Sequence, residues 1–270
     1  VVRLSSSDPT ALPEAITVDL WYTLIYQTPP EREAYEADRR LAWGRSIGPP
    51  ALPDRRLDAL LRHHARENDR RDRSGQGWSI EGQADWARSH LGRPVSAHVL
   101  RAGLGRALGT ASVRVAPGAL RALDRLQSLR IPVGIVSNIV HEPGSPVRRL
   151  LGHCGLAPYV SAVVLSSEIG YAKPSPVPIR RALRLLGTPA ARSLHIGDLP
   201  ADRDAAWSAG AAAATYTGLR RWRSVSGSSP GPSGWDSPRF DRWAGFDGQL
   251  PRLYRAARAV RRRHGPRVSG

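Results

Sequence analysis

From Pro117 onward the chain alternates between two textures. A helix-like stretch, "GALRALDRLQSL", runs into an apolar strand, "IPVGIVSN", and the pattern repeats. "SPVRRLLGHCG" precedes "YVSAVVLSSE", "SPVPIRRALRLLG" precedes "RSLHIGD", and "DRDAAWSAG" precedes "AAAATYTG". Strands apolar on both faces and separated by helices leave few folds open. They predict an α/β chain with a doubly wound, Rossmann-like parallel sheet covered on both sides. "ITVDL", residues 16–20, has the same texture and is predicted to be one more strand of that sheet.

Residues 27–111 read differently. "REAYEADRRLAWGRSI", "RRLDALLRHHAREN", "IEGQADWARSHLG" and "SAHVLRAGLGRAL" carry helical periodicity, interrupted by the linker "RDRSGQGWS". They predict an α-helical cap of about four helices with no strand of its own, inserted into a core made of 1–26 and 112–270. The Gly/Ser/Pro-rich stretch 224–238 is expected to be a flexible loop. "QLPRLYRAARAVRRR" is expected to close the core as a helix, with Leu250, Leu253, Tyr254, Ala257 and Val260 inward.

At 270 residues and 41% apolar, the chain can bury a sizeable core. Its single cysteine, Cys154, allows no internal disulfide. No apolar run reaches the length of a signal peptide or the ~18 residues of a membrane helix. The expectation is a cytoplasmic protein without a membrane partner. The formal charge of +17 favours acidic partners: a phosphorylated small molecule, an acidic carrier protein or nucleic acid. Nucleic acid is disfavoured, because it rests on net charge and the tail "RRRHGPR" alone, and a GC-rich coding bias gives the same arginine excess. That excess isolates one residue. Of 40 basic side chains 39 are arginine, and the exception is Lys173. Arginine replaces a solvated lysine cheaply but does not replace a compact ammonium at a phosphate, so Lys173 is a site candidate.

Sites in parallel α/β sheets form at the carboxyl ends of the strands. The predicted strand ends carry Asp19, with Thr23 four residues on; Ser137 and Asn138; and Asp198, with Asp202 four residues on. Lys173 follows a further strand in a loop. Asp202 also suits the cap of the helix that follows it.

"DLWYT", "VSN", "EIGYAKPSP" and "HIGDLPADRDAAWSAG", in this order, resemble the four motifs of the haloacid dehalogenase superfamily, in its helical-cap subgroup. The resemblance covers roughly 13–26 and 112–220. It implies that Asp19 is a nucleophile forming an aspartyl phosphate and that Ser137 hydrogen-bonds the phosphoryl oxygens. Lys173 would neutralise their charge, with Thr23, Asn138 and Trp21 at the substrate. Asp19, Asp198 and the backbone carbonyl of Trp21 would hold Mg²⁺, and Asp202 would sit among the metal residues, orienting metal waters or Lys173.

One departure matters. The position two past the nucleophile, where phosphatases of this superfamily keep an acid/base aspartate, is Trp21. Indole has no proton to exchange near neutral pH. The backbone carbonyl survives the substitution, so the metal is expected to survive while the proton shuttle is lost. Three readings stay open: a Mg²⁺-dependent phosphohydrolase with an atypical proton donor, such as His141 or a cap side chain (His63, His64, Arg66, Asp69, Arg70 are candidates to reach substrate); a non-catalytic, switch-like binder or unusual group transferase; and a 2-haloacid dehalogenase. The third is weakened by the metal-type fourth motif, "GDLPAD".

Overall fold

The computed structural model describes residues 12–222 and 237–265. Strand β1 (Ala15–Val18) has no exposed residue. The chain turns through 19–24 into the two-residue strand β2 (Ile25–Tyr26), then enters four helices: α1 (Pro29–Ile47), α2 (Asp54–Arg73), α3 (Ile80–Leu91) and α4 (Ala97–Thr110). It returns through β3 (Arg114–Val115). Alternation follows: α5 (Ala119–Ser128), β4 (Val133–Ser137), α6 (Gly144–His153), β5 (Val160–Leu165), the short α7 (Ser166–Ile169), α8 (Val177–Leu185), β6 (Ser193–Gly197), α9 (Pro200–Ala209) and β7 (Ala212–Tyr216). β8 (Arg239–Phe240) and α10 (Phe246–His264) complete the described part.

Six strands form one parallel sheet in the order β5-β4-β1-β6-β7-β8. The order reverses direction around β1, with β4 on one side and β6 on the other, which opens a crevice at their carboxyl ends. Ile16 and Val18 point to the face covered by α5, α6 and α10, whereas Ala15, Val136 and Val164 meet α8 and α9. This alternation along buried strands is why they read as continuous apolar runs. The four-helix insert keeps its own core, with Trp43, Leu57, Leu60, Leu100 and Leu104 buried among its helices.

Three local expectations change. The insert joins the sheet domain through an antiparallel ribbon, Ile25 facing Val115 and Tyr26 facing Arg114, where no strand was expected. Two-residue strands carry no readable periodicity, and the ribbon is completed by Gln27 Nε2 donating to the Ser112 carbonyl at 3.0 Å. Helix α2 runs through Arg73, into what read as linker, because its last turn closes by hydrogen bonds from Ser74 and Gly75. Of the expected loop 224–238, residues 224–236 lie outside the described residues; the end at 237–238 is pinned, with the Ser237 and Thr215 hydroxyls 2.6 Å apart. Leu250, Leu253, Tyr254 and Ala257 are buried in α10, with Val260 packed at the edge. Among the described residues no helix is long and apolar enough to cross a membrane.

Candidate active site

The site follows from strand register. The Asp19 amide donates to the Ile196 carbonyl at 2.8 Å, extending the β1–β6 ladder by one residue. The nucleophile candidate is therefore fixed beside the end of β6, where Asp198 follows. On the other flank Val18 pairs with Ile135, so Ser137, the last residue of β4, lies just beyond. Asp19, Ser137 and Asp198 thus occupy three adjacent strand ends. All three are buried.

Lys173 enters from the loop after α7. Its Nζ donates to Asp19 Oδ1 at 2.6 Å, to Asp202 Oδ1 at 2.5 Å and to the Val136 carbonyl at 3.0 Å. Burial works against the ammonium, but Asp19 and Asp202 outweigh it and hold its pKa above the ordinary lysine value. Asp202 is lowered against its own burial by Lys173 and His195. Burial raises the Asp19 carboxyl despite Lys173, and Asp202 adds to the rise.

Asp202, expected among the metal residues, orienting metal waters or Lys173, and as a helix cap, is held on three sides. It stands in the first turn of α9, where its Oδ2 accepts from the Leu199 amide at 2.9 Å, half of a capping box. Its Oδ1 takes both Lys173 and His195 Nε2, the latter at 3.2 Å. Both oxygens are engaged, and the bond to Lys173 matches the orienting role the sequence offered beside the metal one. Behind it, His195 Nδ1 lies 2.9 Å from the Thr17 hydroxyl. Thr17 and His195 form a second row under the site that sequence reading missed, since a lone histidine and a β-branched threonine in apolar strands look like core.

Asn138, expected at the substrate, is bonded to the lysine's backbone. Its Oδ1 accepts from the Lys173 amide at 2.8 Å and its Nδ2 donates to the Lys173 carbonyl at 2.9 Å. The amide imitates a strand partner and fixes the backbone of Lys173. By contrast, the Ser137 and Thr23 hydroxyls are buried with no hydrogen-bond partner among the described residues. Such orphans are rare in native proteins, and a buried hydroxyl of this kind is free to bond a ligand or a water.

Trp21 starts a tight turn in which Tyr22 adopts φ 59° and its amide reaches the Ile25 carbonyl at 2.6 Å. Trp243 Nε1 donates to the Thr23 carbonyl at 2.9 Å and braces the turn from α10's side. The Trp21 side chain lines a cavity of about 200 Å³ between α1 and the loop 138–142, with Arg32, Arg39 and His141 on its walls.

The histidines considered as proton donors are poorly suited. His64 is buried, stacked 4.6 Å from Trp78, hydrogen-bonded to Gln83, and pushed down to about 4 by burial. His141 is half-buried against His64 and pushed well below the usual histidine value, burial first and then Arg39. Both are neutral at pH 7. His63 is exposed and packs edge-on against Trp86. Arg70 is bound to Glu67 on its own helix, and Arg66 and Asp69 are exposed.

Comparison with known proteins agrees with this arrangement. A family model described as haloacid dehalogenase-like hydrolase matches residues 13–210. Phosphoglycolate phosphatase of Rhodobacter capsulatus is 34% identical over 101 residues, 37% of this chain and 44% of that protein. The Aquifex aeolicus phosphoglycolate phosphatase is 32% identical over 100 residues, again 37% and 44%. The matched part thus spans less than half the length of these curated relatives. Two solved structures share the fold: a HAD phosphatase from Thermococcus onnurineus (TM-score 0.59, 17% identity, 87% of this chain and 97% of that one) and a 2-haloacid dehalogenase from Pseudomonas syringae pv. tomato DC3000 (TM-score 0.61, 21% identity, 88% and 98%). With a family model covering most of its length, and Asp19, Lys173, Asp198 and Asp202 gathered at the strand ends of a parallel sheet, the chain belongs to the haloacid dehalogenase-like hydrolases.

Proposed function

We propose that the chain is a Mg²⁺-dependent phosphohydrolase that acts on a small phosphorylated molecule through an aspartyl phosphate on Asp19. The observation that carries the reading is Lys173, an ammonium buried between Asp19 and Asp202 beside the partnerless hydroxyl of Ser137. A buried cation at a nucleophilic carboxylate suits an incoming dianion. Asp19 attacks phosphorus and the bond to the leaving oxygen breaks; water then attacks the aspartyl phosphate and releases inorganic phosphate. Lys173 and the Ser137 hydroxyl stabilise charge on the equatorial oxygens in both steps. Asp202 and Asn138 hold the lysine in place.

The donor set fits Mg²⁺. Among the described residues no group of three or more His, Cys, Asp or Glu side chains is placed to hold a metal alone. Two carboxylates on adjacent strand ends, Asp19 and Asp198, with the carbonyl of Trp21, offer hard oxygens to an ion that keeps much of its water shell. When bound, it offsets the repulsion between carboxylate and phosphate.

The phosphoglycolate phosphatase relatives make phosphoglycolate the first substrate to try, and the small cavity with Arg32 and Arg39 suits a short anion. The test is a screen of phosphate esters, acyl phosphates and 2-haloacids, each with Mg²⁺ and with EDTA. The expected result is phosphate release that needs Mg²⁺ and is lost with Asp198→Ala. Halide release indifferent to EDTA would establish the dehalogenase reading, which the aromatic Trp21 favours. Binding of phosphate esters without turnover would establish the switch-like one.

A further inference from the structure

The helical insert reaches the site through backbone pairing. After α2, the Gly77 amide donates to the Gly170 carbonyl at 3.0 Å and the Ala172 amide donates to the Gly75 carbonyl at 2.9 Å. Gln76 and Tyr171 face each other as an antiparallel bridge. The approach is close enough to require glycine: a Cβ on Gly77 would collide with the backbone carbonyl of Ser166. The next residue of the core loop after this pairing is Lys173. On the insert's side, the pairing is preceded by the last turn of α2, whose Asp72 carbonyl accepts from the Gly75 amide at 3.0 Å. Asp72 is thus fixed three residues before a loop that is bonded to the lysine's own loop. Its half-buried carboxyl lies within electrostatic reach of the Lys173 ammonium.

We propose that Asp72, delivered by the insert, is the general acid–base residue that the first motif lacks. The inference rests on the phosphohydrolase reading above. Trp21 offers no exchangeable proton, His64 and His141 are neutral, Asp202 is tied to Lys173 and His195, and Glu142 accepts from Tyr35. Asp72 has one weak side-chain partner, Asn68 Nδ2 at 3.4 Å. The charged groups acting on it are Asp69 from its own helix and Lys173 from the facing loop. Burial and Asp69 push it up to about 6, with Asn68 and Lys173 opposing. A carboxyl of that pKa gives and takes protons efficiently near neutrality.

The proton balance is complete. When Asp19 attacks phosphorus and the ester P–O bond breaks, the Asp72 carboxyl gives its proton to the leaving alkoxide, which departs as the alcohol. Asp72 is then a carboxylate. It takes a proton from the water that attacks the aspartyl phosphate, and as the P–O bond to Asp19 breaks the residue is returned to its acid form.

The test compares wild type, Asp72→Asn and Asp72→Glu on an alkyl phosphate and on p-nitrophenyl phosphate across pH 4.5–8.5. With loss of the alkyl leaving group limiting, the wild-type rate on the alkyl ester should fall as pH rises through about 6, where the acid form is lost. Asp72→Asn should lower the alkyl rate by about 10²–10⁴-fold, lose that pH limb, and affect the aryl ester far less. Asp72→Glu should recover part of the alkyl rate and the limb. An Asp72→Asn enzyme that loses both substrates equally with an unchanged pH profile has lost only structure, and one that keeps the alkyl rate needs no Asp72; either outcome overturns the assignment. A wild type that releases phosphate from neither ester overturns the phosphohydrolase reading itself, with Asp72 along with it.

Discussion

Nζ of Lys173 approaches Asp202 to 2.5 Å, as close as it approaches the nucleophile candidate Asp19, at 2.6 Å. The lysine is therefore stretched between two anions, one of them reserved for chemistry and the other for support. Removing the support leaves a buried cation with a single carboxylate. Losing one partner of a buried pair costs about 3–5 kcal/mol. Asp202→Asn should lower the melting temperature by many degrees and draw Lys173 wholly onto Asp19, cutting kcat at least ~10-fold, a barrier rise of about 1.4 kcal/mol. Thermal unfolding and steady-state kinetics on the same preparation check this. Gly197→Ala reaches the same end by another route, because its Cβ would collide with the Asp202 carboxyl.

Lys173→Arg keeps the charge and changes its shape. A planar fork is a poor replacement for a compact ammonium bonded to two carboxylates and a carbonyl in a buried pocket. At least a ~10-fold loss of kcat/KM is expected, about 1.4 kcal/mol. An arginine enzyme with wild-type kinetics would show that the lone lysine of this arginine-rich chain is incidental.

Asp19→Asn should abolish turnover and leave the sheet intact, since the strand's packing comes from Ile16 and Val18 and the ladder bond comes from the Asp19 backbone. Far-UV circular dichroism should match wild type while phosphate release falls to background. Activity that persists in freshly purified mutant, free of deamidated protein, removes Asp19 from the nucleophile's role.

Trp21→Asp restores an acid where the family's phosphatases carry one. The truncation leaves a gap beside the cavity, at a cost of up to about 3–5 kcal/mol, so folding must be verified first. In the wild-type background, where Asp72 already supplies the proton, the dependence of rate on leaving-group pKa should change little. In an Asp72→Asn background, Trp21→Asp should recover alkyl phosphate hydrolysis, and a double mutant as slow as the single one would argue that the two carboxyls do not share a task.

Acid should loosen the insert before neutral pH does. His64 is held at about 4 in the fold against about 6.5 when unfolded. Its folded value is the lower one, so its contribution to stability is complete above about 6.5 and is lost as pH falls toward 4. The melting temperature should drop by several degrees between pH 7 and 4.5, and a His64→Gln variant should show a shallower drop over that window.

The sheet was legible because its strands are buried on both faces and alternate with helices, a pattern few other folds produce. The placement of Asp19, Ser137 and Asp198 at adjacent strand ends followed from the same alternation. What stayed hidden was lateral. Nothing in "VSN" says that the Asn138 amide reaches 35 residues along to hold both backbone groups of Lys173. His195 and Thr17 sit inside apolar strands, where one polar residue is masked by its neighbours. Asp72 was lost in the stretch "RDRSGQGWS", which reads as a linker; the pairing of 75–77 with 170–172, a contact distant in sequence, joins that stretch to the loop of Lys173.

That pairing also ties two movements together. The insert's loop is bonded at Gly75 and Gly77 to Ala172 and Gly170, on the loop that presents the ammonium. From the core side Asn138 braces the same stretch of backbone. A shift of the insert would therefore be felt at the ammonium, because the two lie on one continuous hydrogen-bonded path.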